Sequence, residues 1–218
     1  MTEVDLEGKT LTKLAQRLLS AQEEERKRIA RALHDDMGQQ VASLSMMMGG
    51  LRRRLPAEDG ESRQQADRLK EKLIALGESM SRLSAELYPS VLEHAGLAVA
   101  LRRLCDSSGI SVSYDSRGDF KDVPLQVGLG FYRVVQDTLA GLAQCSSPAE
   151  VSVFLERAGE QIELSVTDRA TGLRESLCDA DGGLRLSVLQ QKAKSVNAGI
   201  SLENLPNSDW RLTVCAAV

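Results

Sequence analysis

Apolar residues in the amino-terminal part of the chain recur with a helical period. Ile29, Leu33, Met37, Val41, Leu44, Met48, Leu51 and Leu55 follow one another at steps of four and three, which predicts one buried stripe on an amphipathic helix. Leu11 to Leu19 already carry this spacing, so a single helix is expected from about residue 9 to 55, although Ser20 and Glu23 have the spacing of a capping box. Gly49-Gly50 weaken the helix near its end, and the polar turn from Pro56 to Gly60 stops it. A second helix, Ser62 to Leu87, repeats Leu69, Leu73, Leu76, Met80, Leu83 and Leu87 in the same way. Two such helices joined by a short turn make an antiparallel hairpin. Its two arms cannot fully bury both stripes by themselves, which predicts a homodimer built as a four-helix bundle.

The pattern then changes. Pro89 breaks the second helix, and Leu97 to Leu104 begin a short one; His94, between them, has no acid or metal-ligand spacing and is assigned a structural role. From Ile110 to Tyr114 the residues alternate as in a strand, as do Val151 to Leu155 and Gln161 to Val166. Leu125 to Ala143 and Leu184 to Val196 read as helices, and Ile200 to Leu202 and Trp210 to Val218 as further strand. The hairpin is therefore followed by an α+β two-layer sandwich.

Composition narrows the class. The chain has 218 residues, 42% of them hydrophobic and 3% aromatic, which describes a helix-rich protein with a real core. A net charge of −4 argues against direct nucleic-acid binding, which needs a clustered excess of Lys and Arg. Cys105, Cys145, Cys178 and Cys215 are scattered, with no paired spacing for zinc or a redox motif, and read as reduced thiols of a cytoplasmic protein. No metal ligands are assigned. The polar start is no signal peptide and no run is long enough to span a membrane, so a stimulus is expected through an upstream sensor or kinase.

The candidate chemistry lies in Glu23 to Gln40, EEERKRIARALHDDMGQQ. His34, one of two histidines, sits just off the apolar stripe, where an imidazole is partly supported yet open to water and can act as a nucleophile. Asp35 follows it and can orient the ring or take its proton. Gln39, four residues after Asp35, shares a helical face with it, where an amide could position water.

The run RIARALHDDMGQQ resembles the phosphoacceptor box of sensor histidine kinases of the class that signals to LuxR-type response regulators. That resemblance implies a phosphorylated His34, Asp35 as the base, and Gln39 in hydrolysis of the regulator's aspartyl phosphate. The stretch Leu87 to Leu104 resembles the family's junction, and the second half resembles its Bergerat-fold ATP-binding domain. The implied division is a linker helix over 1–20, a dimerisation and phosphoacceptor domain over 21–90, a junction over 91–108 and a degenerate ATP-binding domain over 109–218.

The second half departs from the family where magnesium and nucleotide would be held. Gly141 stands where the family has a magnesium-binding Asn, and a glycine has no side-chain oxygen to offer a hard cation. The family's D-x-G-x-G appears as Asp168-Arg169-Ala170-Thr171-Gly172, keeping the acid and last glycine. Its phosphate loop appears as Gly183-Leu184-Arg185-Leu186, in which Arg185 either crowds the loop or stands in as a phosphate clamp. Asp168, Gly172 and Gly183 thus mark an impaired ATP site. The reading is a two-component signalling protein that exchanges phosphoryl groups with a response-regulator receiver domain, or dephosphorylates it, without being a competent autokinase. Two other readings stand beside it: an active sensor histidine kinase that uses ATP and magnesium through a divergent site, and a dimeric pseudokinase scaffold in which His34 is dispensable.

Overall fold

The computed structural model of the protein describes residues 3–145, 150–169, 172–179, 183–206 and 209–218, and divides into two units, Met1–Ser90 and Val91–Val218. In the first, α1 (Glu3–Arg31) passes through a π-helical turn (Ala32–Met37) into α2 (Gly38–Arg54) without a break. The Ser20–Glu23 pair starts no new helix. The Glu-, Arg- and Ala-rich stretch after it has high helix propensity, and Glu23–Arg26 and Glu25–Arg28 pair along its surface.

The π-helical turn has a cause in the apolar pattern. Ile29, Leu33, Met37 and Val41 are separated by successive steps of four, and each such step drifts about 40° around a helix of about 3.6 residues per turn. A wider turn absorbs about one residue, or about 100°, and keeps the stripe on one side. The Gly38 N–H accordingly reaches the carbonyl of Leu33, five residues back.

Leu55, ahead of Pro56, is extended (φ −67°, ψ 136°), because the proline ring excludes the helical conformation before it. Asp59 caps α3 (Gly60–Leu87), its carboxylate accepting the Ser62 N–H at 3.1 Å. Across the hairpin the Arg52 guanidinium meets Asp67 at 2.6 Å, and Ala30, Ala66, Met80 and Ser84 are buried.

The expected single buried stripe is not what the chain makes. Met37, Leu44 and Leu51 are 50%, 50% and 52% exposed, and on α3 Leu69, Leu76 and Leu83 are 43%, 49% and 52% exposed. A hairpin buries only the row of each arm that faces the other arm. These two trios, each spaced by sevens, lie off that row.

The second unit opens with α4 (Ser90–Asp106), which Gly96 interrupts with a left-handed φ of 79°, so that its second half begins at Leu97. His94 is exposed, and its assigned structural role gains no packing from the fold. Strands β1 (Val112–Arg117), β2 (Val151–Ala158), β3 (Gln161–Asp168), β4 (Gly199–Asn204) and β5 (Trp210–Ala217) form one sheet in the order β1-β2-β3-β5-β4. β1 runs parallel to β2, across the crossover helix α5 (Leu125–Leu142), and the other pairings are antiparallel. β1 starts at Val112, not Ile110, because Gly109 (φ 75°) turns the chain and Ser108 donates to the Cys105 and Ile110 carbonyls.

One face of the sheet alternates Val151, Val153, Leu155, Ile162, Leu164, Val166, Leu212 and Val214, all buried. Phe131, Val134, Val135 and Leu139 of α5, and Leu97 and Leu101 of α4, are likewise fully buried, which makes the helical layer of a two-layer α+β unit. Between β3 and α7 (Leu184–Ser195) lies an element the apolar pattern does not predict, a short helix α6 (Gly172–Arg174) continued by a π-helical turn (Glu175–Asp179).

Candidate functional site

His34, Asp35 and Gln39 lie on neighbouring turns at the outside of the hairpin. His34 and Asp35 lie within the π-helical turn and Gln39 in the first turn of α2, and all three side chains are exposed. Among the described residues no hydrogen bond ties the His34 ring to Asp35 or Gln39, so the imidazole is open to a reacting group from solvent. The turn is held from behind: Ala30 is 4% exposed, and its carbonyl accepts the Ser84 hydroxyl of α3 at 2.9 Å.

In the second unit Asp168 and Gly172 come together. Asp168 is fully buried at the end of β3, its carboxylate accepting the Leu173 N–H at 2.9 Å; a Cβ on Gly172 would fall 3.1 Å from that carboxylate and 3.1 Å from Leu142. Gly183 precedes α7 with φ 83°, a conformation that favours glycine, and faces the Cys178 carbonyl. Ala170 and Thr171 lie outside the described residues.

Gly141, near the end of α5, is covered by the Gly172–Asp179 segment. A Cβ built there would fall 2.0 Å from Ser176 Oγ and 3.2 Å from a guanidinium nitrogen of Arg185. Ser176 is 4% exposed, and its hydroxyl has no hydrogen-bond partner among the described residues. Leu173 and Leu177 anchor the segment at 0% and 1% exposure. The Cys145 sulfur sits 3.5 Å from the Gly141 and Gly172 carbonyls, and burial pushes its thiol pKa up, keeping the proton available for them.

A cavity of about 370 Å3 remains between α5 and α7, walled by Ala140, Gly141, Leu177, Leu184, Val188 and Leu189. At its polar edges Lys192 pairs with Asp137, and Arg185 donates to the Gln144 amide oxygen at 2.9 Å. Among the described residues no group of His, Cys, Asp and Glu is arranged to hold a metal ion.

Comparison with known proteins decides the first unit. Residues 25–92, which contain the His34 turn and α3, match the histidine kinase family HisKA_3. This segment is a HisKA_3 histidine kinase domain. The chain is 29% identical over 166 residues to the sensor histidine kinase MctS of Rhizobium johnstonii, covering 74% of this chain and 36% of that protein. It is 28% identical over 206 residues to the oxygen sensor histidine kinase NreB of Staphylococcus carnosus, covering 93% of this chain and 59% of that protein. It thus spans roughly a third to three-fifths of the length of these relatives. Among solved structures, the blue-light activated histidine kinase of Erythrobacter litoralis EL346 superposes with a TM-score of 0.49 at 21% identity, covering 73% of this chain and 64% of that one.

Within the HisKA_3 domain, two features were not singled out from sequence. The π-helical turn was signalled by the successive four-residue steps from Ile29 to Val41. Ser84 had no local signal, because its partner Ala30 is 54 residues away. No described helix is long and apolar enough to cross a membrane.

Proposed function

We propose that the chain is a cytoplasmic transmitter module of a two-component system, in which His34 exchanges a phosphoryl group with the receiver domain of a response regulator, of the LuxR type that the family resemblance implies. The observation that carries this reading is the exposed His34 on its π-helical turn inside the HisKA_3 match. In the transfer, a lone pair of the imidazole attacks phosphorus, the P–O bond to the regulator's aspartate breaks, and a P–N bond forms. The proton on the ring's other nitrogen leaves to Asp35. In the reverse service, Gln39 aligns a water that attacks the regulator's acyl phosphate and releases inorganic phosphate.

The exposed trios Met37, Leu44, Leu51 and Leu69, Leu76, Leu83 support a homodimer, since a second hairpin laid on them would bury a seven-residue repeat from each arm. We keep the division into linker helix 1–20, phosphoacceptor domain 21–90, junction 91–108 and nucleotide-type unit 109–218.

The described residues do not fit a magnesium-held nucleotide. Gly141 offers no oxygen and has Ser176 against it; Asp137, the acid nearest in sequence, is paired with Lys192; and Asp168 is buried beneath Leu173. The regulator's aspartyl phosphate is itself energy-rich, so the exchange needs no ATP from this chain.

The test is intact mass under alkaline quench. A receiver domain charged by acetyl phosphate should place one phosphoryl group on the wild-type chain and none on His34→Gln, while magnesium and ATP alone should place none. Label from ATP on wild type but not His34→Gln would instead establish an autokinase. Equal regulator dephosphorylation by wild type and a His34→Gln, Gln39→Ala double variant would reduce the chain to a scaffold.

A further inference from the structure

We propose that Gly141 and Ser176 form a steric lock: the missing side chain at position 141 is the seat for the Ser176 hydroxyl, so the Gly172–Asp179 segment closes over the end of α5 only while position 141 carries no side chain. The inference deepens the reading of an impaired nucleotide site. It turns a lost metal ligand into a gained contact, with the segment as the resident occupant of the corner beside Gly141.

The geometry is specific to glycine. Gly141 lies near the end of α5 without a left-handed φ, so its backbone does not require glycine. In such a helical position alanine would ordinarily be the better residue. What excludes it is Ser176, whose Oγ would be 2.0 Å from an added Cβ, whereas the Ser176 Cβ would be 3.3 Å away. The hydroxyl alone falls under 3 Å, so an alanine at 141 requires Ser176 to turn its hydroxyl away or the segment to move, and the rest of the contact is relieved by a small shift.

The closed segment has consequences beyond its own packing. Its first residues cover Asp168, whose carboxylate is engaged by the Leu173 N–H and contributes nothing to the wall of the remaining cavity. Leu173 and Leu177 supply the burial that keeps it down. The Ser176 hydroxyl works against them, because it is buried without a partner among the described residues and regains water when the segment lifts. The closed state is thus sterically keyed to Gly141 and carries one unfavourable group.

The experiment is a double-variant cycle on the full chain, read by hydrogen exchange at the Leu173 amide and across residues 172–179, with trypsin cleavage after Arg174 as a second readout. Gly141→Ala should raise exchange of the segment about tenfold or more while the β2–β3 amides keep their protection. Ser176→Ala should leave exchange unchanged or slow it. The double variant Gly141→Ala, Ser176→Ala should return to within about threefold of wild type. If Gly141→Ala unfolds the whole unit, recovery in the double variant still supports the lock. Wild-type exchange in Gly141→Ala, or no recovery in the double variant, overturns it. The cycle involves no nucleotide, so it fails separately from the reading it deepens, which fails if ATP labels His34 in the wild-type chain.

Discussion

The Ser84 hydroxyl donates to the Ala30 carbonyl across the hairpin at 2.9 Å, immediately before the π-helical turn that carries His34. Both residues are buried, and this bond joins α3 to the last turn of α1, which leads into the π-helical turn. Replacing Ser84 by Ala should lower stability by about 1 kcal/mol, the usual net value of such a bond. It should also slow phosphoryl uptake by His34 severalfold. Ser84→Thr, which keeps the hydroxyl, should restore the rate. Thermal unfolding and initial transfer rates check the two effects, and loss of stability with unchanged transfer would confine Ser84 to a structural role.

Gln39 is exposed and lies outside the turn that holds His34, so its loss should separate the two reactions. Gln39→Ala should slow regulator dephosphorylation about tenfold, the value of one well-placed hydrogen bond to the attacking water, while phosphoryl uptake stays within about twofold. Time courses of phosphorylated receiver with each variant measure both.

Leu44 and Leu76 are about half exposed in the single chain, so a charge at either position leaves the hairpin's own packing largely intact. In a dimer that covers them, the same charge is buried without a partner. Leu44→Asp and Leu76→Asp should therefore convert the protein to monomer with near-native helicity, as read by sedimentation and circular dichroism. A wild-type chain that sediments as a monomer would remove the bundle from the proposal.

Cys105 gives a pH prediction. Burial, reinforced by the Asp106 charge, pushes its thiol from the ordinary 9.0 up to about 12. The fold thus favours the protonated form. The contribution is complete below about pH 9 and is lost as pH rises from there toward 12. Denaturant midpoints should fall over this alkaline range in the wild type, and Cys105→Ala should flatten the fall. Parallel slopes for the two proteins would show that other groups carry the alkaline loss.

The helices and most strands were legible because each is a local pattern. Steps of three and four placed the far end of α2 and both ends of α3 within a few residues, whereas the first helix begins at Glu3 and not near residue 9. Alternation placed β2 and β3, whose inward rows are the ones buried. The short α6 and its π-helical turn were missed for a physical reason. Leu173 and Leu177 are too few to set a period, and the segment takes its shape from packing on α5. The apolar stripe was legible as a stripe, but not which of its rows the other arm would cover.

The sequence by itself determined the amphipathic hairpin and the α+β unit after it, and it set the candidates His34, Asp35 and Gln39 within one short motif, because periodicity and a contiguous motif are properties of neighbours along the chain. It also determined that position 141 lacks an oxygen. Only the tertiary structure decided that the Ala30 carbonyl is held by Ser84, and that Gly141 is filled by Ser176. Those pairs are distant in sequence, and their contacts exist only once helix, sheet and connecting segment have packed.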